Sequence, residues 1–525
     1  MNGERRPAAV HGIRVLDERG EFGAPTRVSW AGGRFALGTG AGGAGSGASG
    51  SADRPGGRGE ARRADEFASA DRLQSADRFA GSARLGSAGE FQSADAFEGI
   101  GEFQGADGSG SRGRRDSADA LQSADEFDGT GLWMIPGLVD VHVHAAWQAF
   151  DAEDRARLGE ERTLELIAAG LRRTLAAGFT SARDAGGLDP DVLAAIPGME
   201  RPRMQLSVRM IDRAAADAAG GVDRAVEEAL AAGARWVKLV ATAGVAAPVD
   251  AGLDPVFTPA EQSDAVRRAE RAGAGVMVHA WGGRAVDDAI EAGALSIEHG
   301  IFLTDAQAAR AAERGMTLVP TLRIYRLVQR MIEAGSLPAA FRSRVDAAVA
   351  AHPRAVLRAR DAGLAIALGT DYGTAEQHGT GRLEFDALIV AGLTPQEALV
   401  AATRSGAELL ARVSGGAGPA GRGGAGTGGS GGGRGASAGA EGSTEGAGAS
   451  EGGARARAGE GNAGAGASEG GSGSAAVCAG VIAHGGVADA VILRRDPGRP
   501  GALSDPAAVV AVILGGRWIG PSSLV

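Results

Sequence analysis

The segment from about residue 136 to 412 alternates between β-strand and α-helix patterns, and this alternation restricts the possible folds more than any other feature. Eight apolar, strand-like runs stand out: GLVDVHVH, TSAR, MQLSVRMI, WVKLVA, GVMVHA, LSIEHG, MTLVPTL and LAIALGTD. Amphipathic helical patterns such as RTLELIAAGLRRTLAAG and RAVEEALAAG lie between them, and several end at a glycine that can close a helix. Eight such units closing on themselves predict an α/β fold, a (β/α)8 TIM-like barrel.

Two low-complexity tracts, 38–131 and 414–479, differ sharply from this pattern. The first carries apolar residues at a six-residue spacing, at Phe67, Leu73, Phe79, Leu85, Phe91, Phe97, Phe103, Leu121 and Phe127. A hexapeptide period can indicate a parallel β-helix. Because this run is short, charged and rich in Ser, Ala and Asp, we predict disorder instead. The second tract is a Gly/Ala/Ser-rich linker, also predicted to be disordered.

The remaining pieces predict the domain organisation. Residues 132–413 form the barrel. Residues 1–37 and 480–525 read as short strands, and we expect them to build the two parts of one small β-sandwich. Long insertions cost closure entropy that grows only logarithmically with length, so both tracts can interrupt the fold without destroying it.

Composition narrows the function classes. The 525 residues carry a formal net charge of -10, which argues against nucleic-acid and anionic-membrane partners. The single cysteine, Cys478, excludes disulfides within the chain and favours a cytoplasmic location. The start, MNGERRPAAVHGIRV, has no apolar run typical of a signal peptide, and no window approaches the roughly 18–20 apolar residues of a membrane span. We expect a small-molecule substrate; a homo-oligomer is compatible with the barrel, although the sequence indicates no interface.

Metal-binding residue types occur at the ends of several predicted strands. His142 and His144 are two positions apart on one strand, so their imidazoles project from the same face. The other candidates each end or lie within a separate run: Lys238, His279, His299 and Asp371. Each has an ordinary structural explanation when taken alone. Since four of the eight histidines lie at strand ends, where barrel enzymes place their chemistry, the set predicts a metal site.

The motifs in this order resemble the amidohydrolase superfamily of metal-dependent hydrolases. They are IPGLVDVHVH, LAAGFTSARDAGG, VKLVATAGV, VHAWG, AIEAGALSIEHG, LVPTL, LGTDYGT, HGTGRLEF and GLTPQEALVAATRSGAELL, followed by GGVADAVILRRDP near the C-terminal end. The lysine motif resembles the imidazolonepropionase-like, dipeptidase-like branch, in which a carboxylated lysine bridges two metals. The resemblance covers the barrel and both flanking β segments, but not the two low-complexity tracts.

The resemblance implies a binuclear centre. His142, His144 and Asp371 would hold the more buried metal, and His279 and His299 the second. Lys238, carboxylated by CO₂, would bridge two divalent ions, Zn²⁺ by expectation, with Mn²⁺, Fe²⁺ and Co²⁺ also acceptable to such ligands. A hydroxide bridging the metals would attack the carbonyl, and Asp371 would act as general base and then as general acid.

One position separates the reactions open to this superfamily. Mononuclear aminohydrolases typically have a glutamate three residues after the third metal histidine, whereas this chain has Gly282. Hydrolysis of a non-nucleobase amide C–N bond, in a small N-acyl, dipeptide-like or cyclic amide substrate, is therefore favoured. The alternatives are a mononuclear aminohydrolase (a deaminase) and an imidazolonepropionase-type ring hydrolase. A non-catalytic scaffold is disfavoured because all six ligands are present.

Several further residues are candidates for substrate contact or for shaping the pocket. Ala243, where this branch usually has glycine, and Trp281, two residues after His279, bear on substrate choice. Arg183 and Asp184 are expected to form an orienting pair, or an ion pair that braces their loop. The candidate substrate-binding residues are Arg183, Trp281, Tyr325, Tyr372 and His378. The histidines without a partner motif, expected at the surface, are His11, His352 and His484.

Overall fold

The structure is a computed structural model, and it describes most of the chain outside the two low-complexity tracts. The described residues are 7–37, 126–150, 152–245, 247, 251–413 and 480–520. The predicted disorder of 38–131 and 414–479 concerns residues outside this set, except for 126–131.

The described strands, numbered in chain order, fall into three sheets. They are β1 Ala9–Val15, β2 Thr26–Ala31, β3 Arg34–Phe35, β4 Glu126–Asp128, β5 Trp133–Pro136, β6 Leu138–Val143, β7 Phe179–Asp184, β8 Arg203–Leu206, β9 Met210–Ile211, β10 Trp236–Val240, β11 Gly275–Ala280, β12 Ser296–His299, β13 Thr317–Val319, β14 Ala365–Ile366, β15 Ala490–Leu493, β16 Val509–Leu514 and β17 Arg517–Ile519.

The helices lie mainly between the strands of the barrel. They are α1 Ala152–Arg157, α2 Glu160–Ala176, α3 Pro190–Ala195, α4 Arg213–Ala219, α5 Val222–Ala231, α6 Pro259–Arg271, α7 Arg284–Ala292, α8 Asp305–Glu313, α9 Leu322–Glu333, α10 Arg342–Asp361, α11 Arg382–Val390, α12 Pro395–Val400 and α13 Gly406–Ala411. Helix α6 begins with a capping box, in which the Thr258 hydroxyl accepts from the Glu261 amide and the Glu261 carboxylate accepts from the Thr258 amide. The same reciprocal arrangement starts α8 and α12. None of the helices that can be described is both long and apolar enough to cross a membrane.

Parallel strands form the wall of a barrel around the centre of the molecule. Strands β6, β7 and β8 pair in that order, and β9 to β14 form a second parallel run. The segment after β14 closes the ring, because the Val141 amide donates to the Leu368 carbonyl (3.0 Å) and Val143 bridges in parallel to Tyr372. With β8 and β9 as two pieces of one strand, eight strands surround the barrel. The predicted TIM-barrel-like α/β fold is confirmed.

The strands from both chain ends connect into one mixed sheet. Its order is β17-β16-β15-β5-β1-β2-β3, with β4 paired to β1. The N- and C-terminal pieces therefore fold together, while the small sandwich itself stays a prediction. Gly137 links β5 to β6, and its amide donates to the Asp489 carbonyl (3.0 Å).

Strand β4 corrects the predicted boundary of the first low-complexity tract. It pairs in parallel with β1, with Ala9 opposite Glu126 and His11 opposite Asp128. Phe127, which continues the six-residue spacing, packs against Trp518 with ring centroids 4.9 Å apart. This apolar partner fixes residues 126–131 in the folded part of the chain, so the predicted boundary at residue 131 is wrong.

Candidate metal centre

His142 and His144 lie on β6, which is buried along its whole length. Their rings are 5.6 Å apart, as expected for alternate residues of a strand. The Nε2 atoms of both imidazoles lie 3.2 Å from the same oxygen, Oδ1 of Asp371. The segment after β14 that closes the barrel brings Asp371 here, because the Asp371 amide donates to the His142 carbonyl (2.7 Å). Gly369 permits this close approach, since a Cβ there would lie 2.8 Å from the Cβ of His142.

His279 and His299 complete the set of histidines at the ends of β11 and β12. Their rings meet edge to face, with centroids 4.5 Å apart, and the His299 ring lies 5.1 Å from that of His142. One donor atom each of His142, His299 and Asp371 lies within 4.8 Å of the others. The Nε2 atom of His279 is buried and has no hydrogen-bond partner among the described residues.

Burial keeps the imidazoles of His279 and His299 neutral. Burial, together with the nearby positive charge of Lys238, lowers the pKa of His279 to about 3. Burial and the neighbouring His279 hold the pKa of His299 well below its usual value. Burial would raise the pKa of Asp371, but the adjacent His142 and the hydrogen bonds from His142 and His144 hold it well below the usual range. Neutral imidazoles beside an ionised carboxylate are the protonation states that a divalent metal requires.

Lys238 lies in the middle of β10, and its Nζ is 3.1 Å from Nε2 of His142. Its side chain is only 2 % exposed. Burial lowers the pKa of Lys238 to about 8, against the opposing charge of Glu298. Lys238 is also the only lysine in the 525 residues, in which Lys and Arg together number 54. A chain that uses arginine everywhere else therefore keeps one lysine, at the bottom of the candidate site.

A buried ion pair holds His142 from behind. Nδ1 of His142 lies 2.5 Å from Oε2 of Glu298, and Nη2 of Arg183 donates to the other oxygen of Glu298 (2.9 Å). Burial would raise the pKa of Glu298, but Arg183 and His142 lower it to about 2. Neither side chain of the pair is exposed. The expected partnership of Arg183 with Asp184 is therefore wrong, because adjacent residues of a strand point to opposite faces.

Asp184 serves backbone groups instead. Its carboxylate accepts from the amides of Ala145 (3.0 Å) and Gly186 (2.9 Å). The carbonyl of Gly186 in turn lies 3.0 Å from Nδ1 of His144. Asp184 thus fixes the loop that orients the second histidine of β6.

Three further polar residues contact the candidate ligands and were not singled out from the sequence: Glu298, described above, Asp140 and Thr321. Asp140 accepts from the amides of His142 and Thr370 (3.1 Å each), which joins β6 to the closing strand. The hydroxyl of Thr321 lies 2.7 Å from Nδ1 of His299. Asp140 and Glu298 are charged residues within otherwise apolar strand sequences, a pattern that indicates a buried charge. No local sequence pattern indicates the role of Thr321.

His352 corrects the expectation of a surface location. It lies on α10, is 2 % exposed, and its Nε2 is 3.0 Å from the carbonyl of His299. Burial lowers its pKa to about 4. His11 and His484 are partly or largely exposed, as expected.

The remaining candidate residues lie at different depths around the site. Tyr325 lines the cavity above the histidines. Trp281 is 1 % exposed and packs edge-on against Tyr325, with ring centroids 5.4 Å apart. The hydroxyl of Tyr372 accepts from Nη1 of Arg323 (2.5 Å). Nε2 of His378 lies 3.1 Å from the Trp147 carbonyl, so this histidine holds the loop after β6. Contact of these side chains with substrate stays a prediction.

Backbone strain is concentrated at this site. In the described chain, four residues other than glycine have positive φ, and three belong to the centre: His299 (72°), Thr321 (53°) and Asp371 (55°). Such conformations cost about 1–3 kcal/mol each and persist where the surrounding structure holds them for function. The strain therefore supports a functional rather than a purely structural role for the cluster.

A cavity of about 560 Å³ opens onto the cluster, and all six candidate ligands line it. Its inner end is a set of oxygen and nitrogen donors, and its outer wall is largely apolar. This is the usual character of a small-molecule site, in which a few convergent polar groups lie in an apolar pocket.

Comparisons with known proteins agree with this description. Residues 133–415 match the Amidohydrolase family. An uncharacterized protein of Mycobacterium tuberculosis is 31% identical over 282 residues, which cover 52% of this chain and 73% of that protein. Ochratoxinase of Aspergillus niger is 32% identical over 189 residues, which cover 36% of this chain and only 38% of that enzyme.

Solved structures share the fold across nearly the whole chain. A prolidase complexed with N-methylphosphonate-L-proline has a TM-score of 0.61 at 21% identity, covering 98% of this chain and 99% of its own. The A. niger ochratoxinase has a TM-score of 0.62 at 18% identity, with coverages of 98% and 96%. The family match spans more than half of the sequence and includes the strand ends just described, so the chain belongs to the amidohydrolase family and is a hydrolase of carbon–nitrogen bonds.

Proposed function

We propose that the chain hydrolyses the amide bond of a small non-nucleobase substrate, either an N-acyl or dipeptide-like compound or a cyclic amide. Two divalent metal ions, Zn²⁺ in the first instance, and a carboxylated Lys238 would form the centre. The observation that carries this proposal is that six donor side chains line one cavity, with the only lysine of the chain among them.

The donor set fits metal ions better than it fits a polar network without them. His279 keeps a buried Nε2 without a described partner, and such an atom is costly unless something binds it. His142 and His144 both direct Nε2 toward Asp371, as ligands of a shared ion would. We assign His142, His144 and Asp371 to one ion, His279 and His299 to the other, and Lys238 to both.

The lone lysine supports carboxylation. An uncharged amine reacts with CO₂, whereas a guanidinium is always protonated and does not. Arginine in place of Lys238 would bring a permanent positive charge beside the ligands. Retention of lysine here, in a chain that uses arginine elsewhere, is what a carboxylated bridge requires.

The residues of the chain divide the work around the ions. Bound divalent metals would supply a nucleophilic hydroxide from water near neutral pH and would polarise the scissile carbonyl. Asp371, whose Oδ1 lies 3.2 Å from Nε2 of both His142 and His144, would accept the proton of the attacking water and return it to the leaving nitrogen. Glu298 and Arg183 hold the His142 ring in the orientation that this requires.

The lack of space for a larger side chain at Gly282 supports an amide substrate over a nucleobase. A Cβ at Gly282 would lie 2.7 Å from the Cβ of Phe302, so a glutamate cannot be added there without a shift of the neighbouring loop. The position that a deaminase uses for its proton donor is thus closed. Relatives and neighbours named ochratoxinase, prolidase and Xaa-Pro dipeptidase are consistent with this choice.

The test is metal content together with carboxylation. The protein, purified without chelator or histidine tag, is expected to bind about two ions per chain. It should also give one ¹³C carbamate resonance after exchange in ¹³C-bicarbonate. Lys238→Ala and Lys238→Arg should both abolish the resonance and reduce the metal content to one ion or fewer. Arg271→Lys, which adds an exposed lysine on α6, should keep two ions and a single protected resonance.

A metal content of one ion per chain that is the same in Lys238→Ala would contradict the role of Lys238 as a bridge between two ions. It would favour mononuclear chemistry instead. Metal-loaded protein that then turns over no member of a panel of N-acyl amino acids, dipeptides and cyclic amides would contradict the proposed substrates.

A further inference from the structure

One side of the cavity wall is a continuous apolar surface that the proposed chemistry does not use. It is built by the first turns of α9, by the chain that follows that helix, and by the residue that precedes α10. Its side chains are Ile324, Val328, Leu337, Pro338 and Phe341. Because Ile324 and Val328 lie on α9 and pack in one cluster with Leu337 and Phe341 of the following connection, this surface is part of the packed fold and not a single loop.

The ring of Trp147 also lines the cavity and stacks on the candidate ligand His144, with ring centroids 4.1 Å apart and an interplanar angle of 16°. Phe150 is a further aromatic residue of the cavity lining. A group bound in the cavity therefore meets an aromatic ring next to the candidate ligands as well as the apolar surface of α9 and its connection.

The polar residues of the outer wall make hydrogen bonds within the protein, and Arg155 is the first of them. Nη1 of Arg155 donates to the carbonyls of Ala149 (3.1 Å) and Phe150 (2.7 Å), and its guanidinium lies 4.4 Å above the Trp147 ring. These contacts fix the loop that carries Trp147 and Phe150.

Asp212 and Gln377 are engaged in the same way. Asp212 caps α4 by accepting from the Ala215 amide (2.8 Å). Oε1 of Gln377 accepts from the amides of Gly373 (2.8 Å) and Thr374 (3.0 Å). The outer cavity thus offers a substrate mainly apolar contact.

We infer that the substrate carries, on the carbonyl side of its amide, an uncharged apolar group about as large as a phenyl ring or a hexyl chain. This inference rests on the proposed function, because it takes the scissile carbonyl to lie at the donor cluster. The apolar group then lies against Trp147 and the surface formed by Ile324, Val328 and Phe341. A small polar or zwitterionic dipeptide would leave that surface in contact with water.

The hydrophobic effect predicts how binding affinity should change with the length of the apolar group. Each methylene group buried against such a wall strengthens binding by about fourfold. Hydroxamic acids are suitable probes, since their head group binds divalent metals without hydrolysis while the acyl chain can be varied. The probes are acetohydroxamate, butanohydroxamate, hexanohydroxamate and octanohydroxamate, titrated calorimetrically into the full chain loaded with zinc.

We expect affinity to rise by about threefold to fourfold per methylene up to at least six carbons. Phe341→Ser should weaken octanohydroxamate by about tenfold and leave acetohydroxamate unchanged. Val390→Ser is the matched control, because Val390 is an apolar residue on α11 that is 47% exposed and lies outside the cavity lining. It should change neither affinity.

The outcomes separate this inference from the function on which it rests. Equal affinity for all four hydroxamates would overturn the apolar acyl site and leave the metal centre standing. Tighter binding of a carboxylate-tipped hydroxamate than of octanohydroxamate, lost in Arg155→Gln, would overturn the requirement for an uncharged group. Failure of every hydroxamate to bind the zinc-loaded protein would instead contradict the metal centre of the proposed function.

Discussion

At the scale of single residues, Glu298 is the side chain that couples the candidate ligands to the rest of the barrel. It binds His142 through one oxygen and Arg183 through the other, and none of the three is exposed by more than a trace. We expect Glu298→Gln to weaken metal binding by about 10–100-fold, since the partner that orients a ligand imidazole is lost. Competition with a chromophoric chelator measures this affinity.

Loss of stability alone could also reduce metal binding, and a double variant separates the two effects. Glu298→Gln leaves the Arg183 guanidinium buried without its anion, which is destabilising. In Arg183→Leu/Glu298→Leu the charge is removed as well, so thermal stability should recover in part. Metal affinity should stay low, because His142 still lacks its partner. Recovery of affinity together with stability would show that Glu298 acts only on the fold.

Some residues of the candidate site can be predicted from the sequence, and others cannot. His142, His144, His279, His299 and Asp371 stand at strand ends, where residue type and a period of two are enough to identify them. The bond between Arg183 and Glu298 joins residues 115 positions apart, and no local pattern specifies such a pairing. Asp184, the partner expected from the sequence, is adjacent to Arg183 in the chain, but its side chain points to the opposite face of the strand.

At the scale of elements, helix α10 anchors the loop that follows the lysine strand. Arg344 donates to the carbonyls of Ala243 (3.1 Å) and Ala251 (2.5 Å), and its guanidinium lies 4.9 Å above the Trp281 ring. Arg344→Met keeps the length and the apolar contact but removes both donors. We expect kcat/KM for the amide substrate to fall by about tenfold with the metal content unchanged, because the loop carries Gly244 of the cavity wall.

Hydrogen exchange reports on the same loop without a substrate. The amide of Ala247, which donates to the Gly244 carbonyl, should exchange faster in Arg344→Met than in the wild type. Arg358→Met is the control, since Arg358 lies on the same helix and donates to the carbonyl of Leu303 (2.9 Å) in a different loop. Equal exchange in the two variants would contradict a specific role for Arg344.

The apolar stripe of helix α10 predicts the burial of a residue that no motif identifies. His352 belongs to no motif, yet it lies in phase with the buried residues Val345, Ala348, Ala355 and Ala359. These positions follow the helical period, so the apolar stripe alone predicts that His352 is buried. Its contact with the His299 carbonyl is a tertiary feature and leaves no such signal.

At the scale of the whole molecule, Asp386 joins the barrel to the C-terminal segment. Its carboxylate accepts from the amide of Gly501 (3.1 Å) and from the hydroxyl of Ser504. Burial raises the pKa of Asp386 to about 6, so the folded chain holds this proton more tightly than the unfolded chain does. The contribution of Asp386 to the free energy of unfolding is therefore fully present below about pH 4 and is lost as the pH rises through 6, by at most about 3 kcal/mol.

Asp386→Asn removes this titration. The difference in the free energy of unfolding, variant minus wild type, should increase between pH 4 and pH 6.5 in urea titrations of both proteins. Asp361→Asn, at an exposed position of α10, should show no such trend. A difference for Asp386→Asn that does not change with pH would contradict the raised pKa.

The architecture as a whole was largely predictable, because a repeated strand–helix alternation with short connections leaves few folds other than a barrel. The place where the folded chain resumes after the first low-complexity tract was not. Strand β4 has only three residues, and its position depends on pairing with β1 and on contact between Phe127 and Trp518. Those partners lie more than one hundred residues away in both directions.

The burial of the one lysine has a consequence outside catalysis. Conjugation systems and reagents that act on lysine side chains need an accessible ε-amine, and the folded chain has its only one at 2 % exposure beneath a cavity. Amine-directed coupling of the native protein can then reach only an α-amino group, which gives a uniform orientation on a surface or a single dye per chain. By the same reasoning, labelling of the ε-amine reports loss of the fold.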